Sequence, residues 1–191
     1  MPRDSVSSKH EARAKRIAHA VLLAVLRLSP AVGAAAPRPA DATLAFYATY
    51  RDTKMAGLPS PTQLRRFLPV ISTALAKDLR AASAAEARHF KATKNEEPPL
   101  WEGDVFTSLF EGAQRANIVQ CTIDGDRAQC DVALEYRERE GAIDQQWQDQ
   151  ALLVRERDRW VVDDIRYGGT WDFGPKGTLR ANLREIASYG P

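Results

Sequence analysis

The chain has 191 residues, 44% of them hydrophobic and 27% charged, the proportions of one ordinary globular domain, which exclude collagenous, low-complexity and largely disordered classes. Its 27 Lys and Arg against 25 Asp and Glu give a formal charge of +2. Six basic residues (Arg3, Lys9, Arg13, Lys15, Arg16, Arg27) and only two acidic ones (Asp4, Glu11) precede Ala36, so the rest carries 21 against 23, a net −2 that gives nucleic-acid binding no electrostatic footing.

Residues 1–35 read as a secretory signal peptide: a polar, basic start, a stretch from Ile17 to Leu26 that is apolar except for His19, and small residues at Ala31, Gly33, Ala34, Ala35 and Ala36. Cleavage is expected after Ala34 or Ala35, because Pro37 would sit badly directly after a cut at Ala36. The apolar stretch falls short of the ~18 residues that a membrane span needs, so no stable span is expected after cleavage. No Cys follows the stretch to carry a lipid anchor there, and no Arg-Arg pair precedes it. The localisation implied is periplasmic or secreted.

Residues 36–41 read as an Ala/Pro/Asp linker and 42–189 as a single domain. Leu44, Phe46, Tyr47 and Tyr50 give a short helix with Asp41 as its cap. Gly57 to Pro61 is a break, Thr62–Leu68 a helical turn or two, and Ser72 opens the most strongly helical segment, Thr73–Lys91. Leu75, Leu79, Ala82 and Phe90 mark its buried stripe. Residues 100–116 are loop or short helix, and four strands and a last helix over about 178–189 follow.

The first two strands carry both cysteines. Val119, Cys121, Ile123, Ala128, Cys130, Val132, Leu134 and Tyr136 alternate with polar residues, and a loop centred on Gly125-Asp126 sets Cys121 opposite Cys130. At a non-hydrogen-bonded pair the Cα atoms approach to about 4.5 Å, within disulfide range. The competing register, with an Asp124-Gly125 turn, puts Cys121 opposite Ala128; the alternative for the thiols is two buried free cysteines. A disulfide requires an oxidising compartment, the same place the leader points to.

The later strands are Trp147–Glu156 and Trp160–Tyr167, joined by a turn at Arg157-Asp158. With that two-residue loop, Leu152, Val154, Val161, Asp163, Ile165 and Tyr167 share the more apolar face, expected to be interior. Helices in the first half and a hairpin-rich sheet in the second make the fold class α+β, with helices packed into a curved antiparallel sheet.

Phe46-Tyr47-x-x-Tyr50, the segment Glu102-Gly103-Asp104-Val105-Phe106-Thr107-Ser108-Leu109-Phe110-Glu111-Gly112, the strand Arg159 to Ile165, and Trp171-Asp172-Phe173 before Lys176-Gly177-x-Leu179 resemble a bacterial exported domain-of-unknown-function family. The resemblance covers about residues 42–188. It implies a nuclear transport factor two-like, cystatin-like cone, a fold that hosts isomerases, dehydratases, transport factors and inert scaffolds and so fixes no reaction. Many members carry a lipid-anchor cysteine that this chain lacks.

Chemistry is constrained by what is present. After cleavage His89 is the only histidine, so no multi-histidine metal site is expected, and His89 reads as a solvated helix residue. No cofactor is implied, since the phosphate-binding and dinucleotide-binding glycine motifs are absent. Asp163, placed among apolar walls, is the candidate general base if the protein is an isomerase- or dehydratase-like enzyme; the alternative is a carboxylate held by structural donors. The ligand- or partner-binding candidates are Asp163, Tyr167, Trp171, Asp172, Phe106 and Phe110. Trp171 and Asp172 sit between Gly168-Gly169 and Gly174-Pro175, where packing is restricted and exposure is expected. Phe106 and Phe110 lie in an acidic run that reads as a lid or a docking segment. The leading reading is a non-catalytic binding or scaffold protein of the bacterial envelope, its partner an envelope protein or a small ligand.

Overall fold

The computed structural model of the protein describes residues 38–139 and 143–190, so the leader read at 1–35 lies outside the described residues. Helix α1 runs Pro39–Thr53, starting inside the segment read as linker. Proline suits the first helical position because its missing N–H has no partner there in any case. Asp41 therefore sits within the first turn rather than at the cap, and accepts the backbone N–H of Arg38 at 3.2 Å. Helix α2, Pro61–Phe67, opens on a reciprocal box: Ser60 Oγ accepts from Gln63 N (3.3 Å) and Gln63 Oε1 from Ser60 N (2.9 Å). Helix α3, Thr73–Thr93, has the expected Ser72 cap, whose hydroxyl accepts from Leu75 N at 2.9 Å.

Strands β1 (Arg115–Asp124), β2 (Arg127–Tyr136), β3 (Gln145–Glu156) and β4 (Arg159–Arg166) form an antiparallel meander in the order β1-β2-β3-β4, and helix α4 (Leu179–Ser188) closes the chain. The β1–β2 hairpin takes the register that the cysteines and the apolar pattern require: Asp124 pairs with Arg127, Cys121 with Cys130, and the two sulfurs are bonded with Cα atoms 4.1 Å apart. The β3–β4 turn falls at Arg157-Asp158, as expected, with both residues left-handed (φ 49° and 62°), the geometry that matches strand twist in a two-residue hairpin.

Two bulges break the alternation. In β1 the register shifts between Ile118 and Gln120, which turns Val119 outward, 55% exposed, although the simple period put it with Cys121. In β4 the register shifts opposite Leu152/Leu153: Leu152 pairs with Asp164 and Leu153 with Val162, leaving Asp163 as the extra residue. Val162 and Ile165, three apart, thereby both reach the core.

The interior face of β3 is Trp147, Asp149, Ala151 and Leu153, not the Leu152/Val154 face expected from the sequence. A one-residue phase error sends every side chain of a strand to the other side, and Gln146, Gln148 and Gln150 take the polar face here. On that face a hydrogen-bonded ladder crosses all four strands: Gln120 Nε2 and Gln150 Nε2 donate to Asp131, and Arg166 Nη1 donates to Gln150 Oε1.

Helices α1, α3 and α4 pack on the sheet, and α2 packs on α1. The centre is aromatic: Phe106 lies 5.3 Å from Phe46 and 4.8 Å from Phe67, ring centre to centre, and all three are fully buried. The outer edge of β4 is covered by protein on both halves. Ser72 N donates to Val162 O and Val162 N to Val70 O on one half, and Tyr167 N donates to Gly177 O just beyond the strand on the other.

Candidate functional site

Two carboxylates are enclosed in the interior, and neither was singled out as a buried group by the sequence. Asp149, fully buried, accepts from Ser108 N (2.9 Å), Gly168 N (2.8 Å), Trp147 Nε1 (3.1 Å) and the Ser108 hydroxyl. The same hydroxyl oxygen accepts Gly168 N and Gly169 N at 3.1 and 3.0 Å, so Ser108 and Asp149 together staple the loop after β4 to the 103–112 segment. Gly168 is obligatory there, since a Cβ would lie 2.0 Å from the Gln148 carbonyl oxygen. Burial pushes the Asp149 carboxyl above its ordinary pKa, against the pull of its donors.

Asp104 accepts Phe106 N at 2.7 Å and faces the Tyr50 hydroxyl, which itself accepts Ala113 N at 2.9 Å. Desolvation raises Asp104 to about 6, with the hydrogen bonds opposing it. Both carboxylates are sealed from solvent with protein donors on them, so they organise loops and offer no oxygen to a substrate. The Tyr47 hydroxyl nearby is buried and has no hydrogen-bond partner among the described residues.

Asp163 does not stand among apolar walls. As the bulged residue of β4 it is turned toward the helices, where its Oδ1 accepts the Ser72 hydroxyl at 2.5 Å and its Oδ2 accepts Arg180 Nη1 at 2.7 Å. Arg180 also reaches Asp78 (2.8 Å), which Arg184 approaches at 3.2 Å. Asp163 thus joins the cap of α3 to the first turn of α4. A surface depression of about 480 Å³ touches it, lined also by Asp164, Arg180 and Leu152, but both carboxylate oxygens are already engaged.

The other candidates divide. Phe106 and Tyr167 are core: Tyr167 is 8% exposed and donates its hydroxyl to Val105 O at 2.7 Å, and Phe106 anchors its segment in the aromatic centre. The acidic run is thus a strap held by a buried ring rather than a free docking segment. Phe110 is 49% exposed, with its ring over Gly103. Trp171 is half-buried against the edge of Trp147 (5.4 Å) and stacks on Phe173 (6.5 Å), while Asp172 is exposed.

A concavity adjoins this last group. A groove of about 680 Å³ runs between the 97–102 loop, the 173–176 loop and α4, with Trp101, Phe173 and Tyr189 as its aromatic wall and Glu97, Glu102, Glu185 and Lys176 among its polar lining. Phe173 is 70% exposed, more than any other large apolar side chain described. His89, read as solvated, is 4% exposed at the groove floor. Its Nε2 donates to Pro98 O at 3.0 Å, a carbonyl that can only accept, and its ring packs on Tyr189. Trp101 Nε1 donates to Asp104 O at 3.3 Å, which ties the groove wall to the buried cluster.

No protein-family model matches the chain, and no solved structure matches it. It is similar to the uncharacterized lipoprotein YbjP of Escherichia coli (strain K12), with 30% identity over 89 residues, 47% of this chain and 51% of that protein. The chain thus spans about half the length of the curated relative it matches. Among the described residues no helix is long and apolar enough to cross a membrane.

Proposed function

We propose that this is an exported, non-catalytic binding protein of the bacterial envelope, built as a nuclear transport factor two-like cone, that holds a small ligand or a partner segment in the Trp101–Phe173–Tyr189 groove. The observation that carries the reading is the contrast between the groove and the carboxylates. The groove of about 680 Å³ presents exposed aromatic rings, whereas Asp104 and Asp149 are buried and Asp163 is ion-paired. Open aromatic walls with a few polar groups are what recognition needs. The envelope is supported by the lipoprotein relative, by the disulfide and by the leader pattern. The cone is supported by α1 and α3 packed on a four-stranded antiparallel meander, with Phe46, Phe67 and Phe106 in the core.

The test places a photoreactive phenylalanine analogue at Tyr189 in the protein produced in its native host. A discrete adduct that Phe173→Ala abolishes is the expected result. Adducts indifferent to Phe173→Ala, or none at all, would reject the groove as the binding site.

A further inference from the structure

Helices α2 and α3 present a second surface of different chemistry. Lys77, Arg80, Arg88 and Lys91 are all exposed on α3, and at 100° per residue they fall within roughly 80° of its circumference, a stripe that exposed Ala81, Ala84 and Ala87 widen to roughly 120°. The two carboxylates of α3 are turned away from this stripe: Asp78 accepts Arg180 and Arg184, and Glu86 faces Trp101 N at 3.4 Å. Helix α2 adds exposed Arg65 and Arg66 and no acid. None of these six cations forms an ion pair among the described residues. Between the two helices lies a groove of about 520 Å³ lined by Pro61, Leu64, Leu68 and Ala84, with Arg65 and Arg80 beside them.

We propose that this face docks the protein on an anionic phospholipid bilayer, with the cations on headgroup phosphates and Leu68, Pro61 and the alanines against the apolar boundary. Charge complementarity selects an anionic occupant. Long basic side chains around an apolar floor suit an interface where the stems lie in hydrocarbon and the heads reach phosphate. The stripe holds no aromatic ring on which the bases of a single-stranded nucleic acid could stack. The segregation is independent of the aromatic groove, which belongs to other loops.

Vesicle flotation tests the proposal on the protein purified from its native host, in the form in which the host keeps it. It is expected to bind equimolar phosphatidylcholine–phosphatidylglycerol vesicles, to leave pure phosphatidylcholine vesicles, and to lose binding as salt is raised. R80Q/R88Q should lower the partition by about thirtyfold, about fivefold for each cation, with helical content unchanged. R115Q/R127Q, which removes equal charge from β1 and β2, should leave it near the wild-type value, and so should Phe173→Ala. Leu68→Ser should weaken binding at constant charge. Equal losses in the two double variants, or equal binding to both vesicles, would overturn the proposal. Binding to polyglutamate as tight as to the anionic vesicles would overturn it in favour of an acidic protein partner.

Discussion

Asp163 shows how position within a strand decides what a carboxylate does. Were it on the regular ladder it would take the face of its neighbours at even spacing; as the bulged residue it turns to Ser72 and Arg180, each also engaged elsewhere. Asp163→Asn keeps the shape but replaces a charge-assisted pair, leaving the partly buried Arg180 with Asp78 alone. Urea unfolding near neutral pH should show a loss on the order of 1–2 kcal/mol, and a variant as stable as the wild type would remove the structural role. Asp104 behaves in the opposite sense. Its folded pKa, about 6, lies above the ordinary 3.8, so between these values the folded state binds more protons than the unfolded one. Stability from this group is therefore fully present below the lower value and lost as pH rises through the upper. Melts across that window should fall by on the order of 3 kcal/mol for this group, and Asp104→Asn should flatten the slope.

At the scale of elements, the β1–β2 hairpin is held twice, by its ladder and by the Cys121–Cys130 bond. Closing a loop of about ten residues stabilises by about 2.7 kcal/mol through the unfolded chain. C121S/C130S should accordingly lose 2–3 kcal/mol, roughly, in guanidinium unfolding while keeping its circular dichroism, because the turn and apolar pairs still set the register. Loss of the fold would show that the bond, not the ladder, sets the pairing. The hairpin was legible because three signals agreed there: turn residues, the alternation of β2 and cysteine spacing. The β3–β4 pair was legible in its turn but not in its phase, since Leu152, Leu153 and Val154 are apolar on both faces. The discriminating signal was the Gln146, Gln148, Gln150 series, which marks the outer face and assigns Trp147, Asp149 and Ala151 to the core.

For the whole molecule, the segment expected to be a leader is more basic than the rest of the chain. Removal of residues 1–35 takes away six basic and two acidic residues and leaves the domain at net −2. Mass spectrometry of the protein from its native host is expected to find an amino terminus after Ala34 or Ala35, and intact Met1 protein in the cytosol would contradict export. The net acidity of that domain coexists with a basic α2–α3 face, because the acids of α3 are spent on α4 and on the 97–102 loop. Net charge therefore misses what the distribution shows.

By itself the sequence determined the α+β class, the order of the elements, the cap of α3, the disulfide register and the β1–β2 and β3–β4 turns, all features set by residues close together in the chain. Only the tertiary structure decided which face of β3 is inside, that Asp163 is a bulged and ion-paired residue, that His89 is buried, and that Trp101, Phe173 and Tyr189 meet. Those depend on contacts between segments as far apart as Ser72 and Asp163, 91 residues along the chain. A bulge shifts side-chain phase without a composition signal strong enough to announce it, and a groove made by three elements has no local pattern at all.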